Sequence, residues 1–567
     1  MKSAFLIMLS AFFVLTGSSC FAADQSHADI LMVNGSIYTM DPGRRWAQAL
    51  AISNGRIVFV GTDQEATKFA GSLTKVVNLS GKMVLPGFID SHIHPVQGAL
   101  EEQACYLGDF EKADSIEKAI TEYAQAHKSE EWVIGSGWSL PIYGPSGPKK
   151  GELDKLVPDR PAFFISQDGH SAWVNSKALE KAGINSFSPD PPNGRIEREA
   201  DGRTPSGTLR EGAVDVVSKI APKPTEDQER QAALDVQKKL NKLGILAVQD
   251  ASVGESTLKT YAALDDANLL TMRVSACMTL DPEKGAKQID TFKEWRDKYD
   301  GDLLSARAVK IFSDGVVEAK TAAMLEPYSG GDAKDTGILN YTPAQLKWFA
   351  TKLDAAGFQI HTHAIGDRAV RCALDAIETA QKVNGKTNKM HHIAHLEIIH
   401  PDDIQRFRRL NVVANFQPFW AYSDKYVTDL TVPILGEARM KQLYPINSLF
   451  RSGAFVVAGS DWTVTTANPL EAIQVAVTRC GLKETADKAF IPEERVSLPD
   501  ILAAYTINGA YLGHWEKEMG SLEIGKSADV IVLDKNLFEI SPFEIYKTKV
   551  IWTLFRGREV YRDPEFP

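Results

Sequence analysis

From about residue 28 to residue 82 the chain runs in short apolar strands broken by turn residues: Ile30-Leu-Met-Val-Asn-Gly35, Ala49-Leu-Ala-Ile-Ser-Asn-Gly55 and Arg56-Ile-Val-Phe-Val-Gly61. Branched and aromatic residues bounded by Asn-Gly or Gly predict strands and tight connections. The far end repeats the style in Ala528-Asp-Val-Ile-Val-Leu533 and Val550-Ile-Trp-Thr-Leu-Phe555, followed by Arg556-Gly-Arg-Glu-Val-Tyr561. Two β-rich ends around a mixed centre predict one small β-sandwich, built from residues 28–84 and 515–567.

In the centre, 85–514, continuous apolar runs alternate with stretches of helical period. After the run that leads into His92, further runs lie at 245–249, 273–280, 306–312, 359–363, 391–395, 412–416 and 455–460, with helical patterns at 342–356 and 368–383 filling gaps between them. Eight short apolar strands separated by helices predict an α/β fold, a parallel (β/α)8 TIM-like barrel. The interval from about 98 to 240 is too long for one crossover. It contains its own apolar pieces, Trp132-Val-Ile-Gly135 and Ala162-Phe-Phe-Ile-Ser166, with Gly/Pro-rich turns at 143–151 and 189–194. It reads as an insertion after strand one, expected over the barrel mouth.

Composition narrows the function classes. The 567 residues are 44% hydrophobic and 24% charged, ordinary for a globular chain. A net charge of -10 and no Lys/Arg-rich stripe argue against nucleic acid as a partner. The amino terminus reads as a signal peptide: Lys2, an apolar core over 4–15, then small residues to Cys20-Phe-Ala22-Ala23, with cleavage near Ala22. The protein is therefore expected to be exported, periplasmic or secreted. The apolar core is shorter than the ~20 residues of a spanning helix, and a lipid anchor at Cys20 is the minor alternative. Cys105, Cys277, Cys372 and Cys480 are widely spaced and form no zinc-ribbon or disulfide pattern.

The chemistry sits where apolar runs end. Leu85-Pro-Gly-Phe-Ile-Asp-Ser-His-Ile-His94 presents His92 and His94 at i and i+2, which in an extended segment point the same way and can share a metal. Five of the twelve histidines (His361, His363, His391, His392, His395) crowd between 361 and 395. Lys310 lies inside Ala308-Val-Lys-Ile-Phe312, where a buried, unpaired ammonium is costly. A salt bridge to Asp314 is the plain alternative. Asp461 closes Phe455-Val-Val-Ala-Gly-Ser-Asp461 and could instead cap the next segment, while His395 could be a core histidine bonded to a carbonyl. All of these falling together at strand ends of one barrel favours a shared centre.

These stretches resemble the amidohydrolase superfamily, and within it the branch of amidohydrolase family 3, YtcJ-like, that includes the N-substituted formamide deformylases. The resemblance runs through Pro86-Gly-Phe-Ile-Asp-Ser-His-Ile-His-Pro95, Val309-Lys-Ile-Phe-Ser-Asp-Gly315, Lys320-Thr-Ala-Ala-Met-Leu-Glu-Pro-Tyr328, His363-Ala-Ile-Gly-Asp-Arg368, Gly459-Ser-Asp-Trp462, Ala476-Val-Thr-Arg479 and Gly520-Ser-Leu-Glu-Ile-Gly-Lys-Ser-Ala-Asp529. It implies that His92, His94 and Asp461 bind one metal and His363 and His395 a second, with Lys310 bridging as a carboxylated lysine. Zinc is the default for such ligands, as one ion or two. The implied activity is hydrolysis of a carbon–nitrogen bond in an amide, N-formyl or N-acyl amine by metal-activated hydroxide, with Asp461 as proton shuttle and His395 beside it as a catalytic residue.

In the insertion, Gln167-Asp-Gly-His-Ser-Ala-Trp-Val-Asn-Ser176 also matches the branch, and with Gly135-Ser-Gly-Trp138 and Leu209-Arg-Glu211 it marks His170, Trp138, Trp173 and Glu211 as candidate substrate contacts. The tryptophans could equally be core. Trp420, after Phe416-Gln-Pro-Phe419, is a further candidate. The small-molecule substrate is expected to have an apolar or aromatic part. A cyclic amide or imide hydrolase, a deaminase, and a non-catalytic metal- or solute-binding relative are the rival readings. A homo-oligomer is compatible with the sequence.

Overall fold

The computed structural model describes residues 27–330 and 332–566, so the signal-peptide reading and Cys20 lie outside the described residues. The eight expected runs form one parallel sheet whose order follows the chain: β1 (Phe88–Ile93), β2 (Ile245–Val253), β3 (Arg273–Thr279), β4 (Leu304–Phe312), β5 (Gln359–Ala364), β6 (His392–His395), β7 (Val413–Phe416) and β8 (Val456–Ala458). Every residue of β1, β5, β6, β7 and β8 is buried, which is why these strands read as unbroken apolar runs rather than alternating ones. The outer strands meet where the Asp461 N–H donates to the His92 carbonyl at 2.7 Å and the Ser460 N–H to the Asp90 carboxylate at 3.0 Å. Gly459 makes this seam: a Cβ there would stand 2.5 Å from the His92 nitrogen.

Helices cover the barrel at the expected places, among them Pro343–Ala355 and Asp367–Asn384. The first starts sharply because the Thr342 hydroxyl accepts the Gln345 N–H, the Gln345 side chain returns to the Thr342 N–H, and Pro343 needs no partner at the first helical position. Leu346, Phe349, Ala350 and Leu353 form its buried stripe.

Both chain ends build the sandwich. Arg56–Gly61, Ala49–Ser53, Ile30–Val33 and Lys75–Asn78 form one sheet; Arg558–Arg562, Val550–Phe555, Val530–Leu533, Met83–Pro86, Ser36–Tyr38 and Trp46–Ala47 form the other. Met83–Pro86 pairs antiparallel with Val530–Leu533, so the two ends share one sheet. Met32, Leu50 and Ile52 pack against Val530, Trp552 and Leu554 between the layers, each large apolar side chain contributing about 1.5–3 kcal/mol by burial.

The insertion carries a third sheet, ordered Gly194–Arg198, Pro205–Glu211, Ser171–Val174, Ala162–Ser166, Val133–Trp138, Cys105–Tyr106. It is shorter than the 98–240 read from the sequence. The helices Pro95–Gln103 and Glu226–Lys242 belong to the barrel's outer ring: Val96, Ala99, Ala232, Val236 and Leu240 join the barrel core. An amphipathic stripe shows that a helix docks, not which layer receives it. Among the described residues the four cysteines form no disulfide, and no helix is long and apolar enough to cross a membrane.

Candidate metal centre and its cavity

The carboxyl ends of the barrel strands carry polar side chains inward. β1 supplies His92, and His94 opens the helix that follows. β4 supplies Lys310, β5 His363, β6 His395, and Asp461 stands just past β8. Asp461 is the hub: its Oδ1 lies 3.5 Å from His92 Nε2 and 3.2 Å from His94 Nε2, and its Oδ2 lies 3.7 Å from His395 Nδ1. Lys310 Nζ lies 3.4 Å from His92 Nε2 and is fully buried. The His363 ring lies 4.4 Å from that of His395, with its Nε2 3.2 Å from the Gly315 carbonyl. The sequence-predicted residues are thus brought into one cluster.

Among the described residues, His92, His395 and Asp461 form the one group whose three ligand atoms lie within 4.8 Å of one another. His395 Nδ1, His94 Nδ1 and Asp461 Oδ1 are buried without a hydrogen-bond partner. His395 and Asp461 belong to the close group of three, and orphaned buried lone pairs on such a group are what a divalent ion satisfies; His94 faces Asp461 with its Nε2. The backbone is strained at the same place: His395 (φ 76°) and Asp461 (φ 53°) sit in the left-handed region, at a cost of order 1–3 kcal/mol each.

Burial and the Lys310 charge hold the His92 imidazole well below its usual pKa. Burial pulls the Lys310 amine down to about 8, with Asp461 offsetting part of that. The Lys310–Asp314 salt bridge does not form. Asp314 instead accepts the Ala323, Ile365 and Gly366 N–H groups at 2.9, 3.1 and 2.9 Å, tying the loops after β4 and β5 together.

One further histidine supports the cluster from behind. His361 Nε2 lies 2.9 Å from His92 Nδ1, and its own Nδ1 lies 3.3 Å from Cys277 Sγ, fixing the His92 ring. His391 bonds Asp354 and is a framework residue.

A cavity of about 1290 Å³ opens over the cluster, lined by His363, His395 and Asp461 from the barrel and by Gln167, Asp168 and His170 from the insertion. The insertion therefore covers the mouth as expected. His170 faces the His363 ring at 5.0 Å and bonds Glu211 Oε2 at 2.9 Å. Burial would lower the His170 pKa, but the Glu211 and Asp168 carboxylates outweigh it and raise it to about 9, so His170 is charged at neutral pH. Trp420 lines the cavity and stacks on His395, rings 5.5 Å apart and 3° from parallel.

Three candidate substrate contacts are corrected. Trp138 and Trp173 are fully buried in the insertion's own core, their indole N–H groups donating to the Phe164 and Lys149 carbonyls. Large aromatics are placed by whichever core is nearest, which sequence does not reveal. Glu211 lies beneath the lining, holding His170 and the Thr321 hydroxyl. Sequence reasoning passed over Glu318, Glu397 and Asp424 on the cavity wall. Glu397 had a signal, a carboxylate inside the apolar stretch that carries His395. The other two had none.

Comparison with known proteins gives the family. The amidohydrolase family model matches residues 75–561. Protein LONG AFTER FAR-RED 3 of Arabidopsis thaliana is 32% identical over 543 residues, covering 94% of this chain and 92% of that protein. The N-substituted formamide deformylase of Arthrobacter pascens is 27% identical over 543 residues, covering 93% and 97%. The crystal structure of an uncharacterized metal-dependent hydrolase from Pyrococcus furiosus superposes with a TM-score of 0.68 at 28% identity, covering 89% of this chain and 99% of that one. With its barrel, sandwich and histidine cluster in the matched span, the chain belongs to the amidohydrolase family.

Proposed function

We propose that the protein hydrolyses the carbon–nitrogen bond of a small N-acyl or N-formyl amine, using a divalent metal, zinc by donor chemistry, held by His92, His94, His395 and Asp461. The convergence of unpartnered histidine and aspartate atoms on the cavity floor carries this reading. Family membership and similarity to a formamide deformylase support the choice of bond. Lys310, buried and, among the described residues, without a carboxylate at ion-pair distance, is the residue to be carboxylated: its neutral amine adds carbon dioxide and releases a proton, so a buried cation becomes an anion with two ligand oxygens. With His363 beside His395, that group would complete a second ion position.

A bound divalent ion supplies Lewis acidity toward a carbonyl oxygen and makes water acidic near neutral pH. The chain's own groups do the rest. Asp461, with oxygens facing His94 and His395, takes the proton of the attacking water and returns it to the departing amine nitrogen. His170, held by Glu211 and facing the His363 ring, would stabilise negative charge on a carbonyl oxygen bound between them. Trp420 fixes the His395 ring by stacking and walls off water on that side.

The test is metal analysis of the purified protein together with amine release from a panel of N-formyl and N-acetyl amines. Turnover with bound metal is expected, falling by ~10²–10⁴-fold in Asp461→Asn while the fold persists. Turnover of cyclic imides but not of open N-acyl amines assigns another bond and overturns the reading.

A further inference from the structure

We propose that the same cavity holds a second recognition site, in which Glu318, Glu397 and Asp424 receive a cationic nitrogen of the substrate, an ammonium or guanidinium remote from the scissile bond; the substrate role rests on the hydrolase reading above. The three come from different loops: Glu318 follows β4, Glu397 lies two residues past the end of β6, and Asp424 follows β7. All line the cavity shared with His395 and Asp461. Glu318 is 8% exposed and Glu397 3%.

Their partners include no cation. Glu318 receives the Thr431 hydroxyl at 3.0 Å and its own N–H, and Asp424 the Val427 N–H at 2.9 Å and that of Tyr426. The Glu397 carboxyl meets the Tyr444 side chain, but its Oε2, buried in a residue of the cavity wall, has no hydrogen-bond partner among the described residues. Among the described residues no Lys, Arg or His reaches any of the three within the 4.0 Å of an ion pair. Buried carboxylates are normally paired, and each unpaired one is expensive. Here burial, then repulsion from Asp168 and Asp424, pushes Glu318 up to about 7, and burial with repulsion from Asp429 pushes Asp424 up to about 6. A cation entering the wall relieves that repulsion.

The spacing favours an organic cation over a metal ion. The three carboxylates do not bring three oxygens within 4.8 Å of one another, a condition that only His92, His395 and Asp461 meet among the described residues. A metal ion needs its oxygens at about 2.0–2.6 Å, whereas an ammonium or guanidinium offers three or five N–H donors and spans a wider ring of acceptors. The cavity, about 1290 Å³, has room for an acylated nitrogen at the histidine cluster and a chain reaching this wall.

Isothermal titration calorimetry on the metal-loaded full chain, with N-acetyl-1,4-diaminobutane against the uncharged N-pentylacetamide, tests the site without requiring turnover. The cationic ligand is expected to bind at least about tenfold more tightly, and Glu318→Gln to cut that ratio by about tenfold, as for loss of one charge-assisted bond. Asp424→Asn, on a separate loop, reads the same ratio should Glu318→Gln misfold. Equal binding of the two ligands overturns the proposal, as does a preference that survives both substitutions. Calcium chloride that displaces the diamine derivative from the wild type but binds no Glu318→Gln protein assigns the wall to an inorganic ion and also overturns it. A charge preference without turnover of any N-formyl or N-acetyl amine of the panel keeps this site and removes the hydrolase reading. Hydrolysis without preference does the reverse.

Discussion

At the scale of single residues, the informative signal was polarity in the wrong place. Lys310 and His395 each interrupt a run of residues that only a covered strand would carry, and both prove buried at one point. Lys310 yields a direct prediction. Lys310→Ala should weaken metal binding by at least about tenfold, and added propionate should restore part of it by supplying the missing oxygens. Inductively coupled plasma analysis after dialysis reads this out; metal content equal to wild type would remove Lys310 from the centre. The tryptophans show the opposite case. Trp138 and Trp173 are apolar bodies whose burial was legible, but the choice between a core and a cavity wall was not.

At the scale of elements, strand and helix positions were legible because period and caps are local. The Thr342-Pro343 start of one helix is an example. What an element docks against was less legible, as the misassigned helix Glu226–Lys242 shows. Asp354, near the end of the helix Pro343–Ala355, joins it to the segment leading into β6 through Lys389 at 2.7 Å and His391 at 3.1 Å, and to the end of the helix Asp367–Asn384 through Asn384 at 2.7 Å. Burial alone would raise its carboxyl pKa, but these hydrogen bonds outweigh burial and hold it well below the usual range. A depressed carboxyl stabilises the fold above its unfolded value of ~3.9, and the contribution fades as pH falls below that toward the folded value. Asp354→Asn should therefore lower the urea midpoint at pH 7, with the gap to wild type narrowing below about pH 4. A gap of constant size from pH 7 to pH 3 contradicts this.

At the scale of the whole molecule, barrel and sandwich are coupled by a buried pair. Arg273, opening β3, meets Asp529 at 2.5 Å, and the other Asp529 oxygen accepts the Arg556 N–H at 2.8 Å. Asp529 closes the last of the matched sequence motifs, and its role there is to join the two layers. Arg273→Ala leaves a buried carboxylate unpaired and should cost about 3–5 kcal/mol, seen as a fall in denaturant midpoint. Arg273→Met combined with Asp529→Asn should recover part of the loss, because no net charge then stays buried. A single mutant as stable as wild type would show that water reaches this seam.

The sequence by itself determined the barrel strands, the two-ended sandwich and the residue types of the metal centre, because hydrophobic period and misplaced charge are properties of neighbours along the chain. Only the tertiary structure decided which polar groups meet. His361 behind His92, the Glu211 support of His170 and the unpaired carboxylates of the cavity wall come from segments far apart in sequence. Their juxtaposition depends on barrel closure and on how the insertion sits over its mouth, and no local pattern encodes a distance between loops.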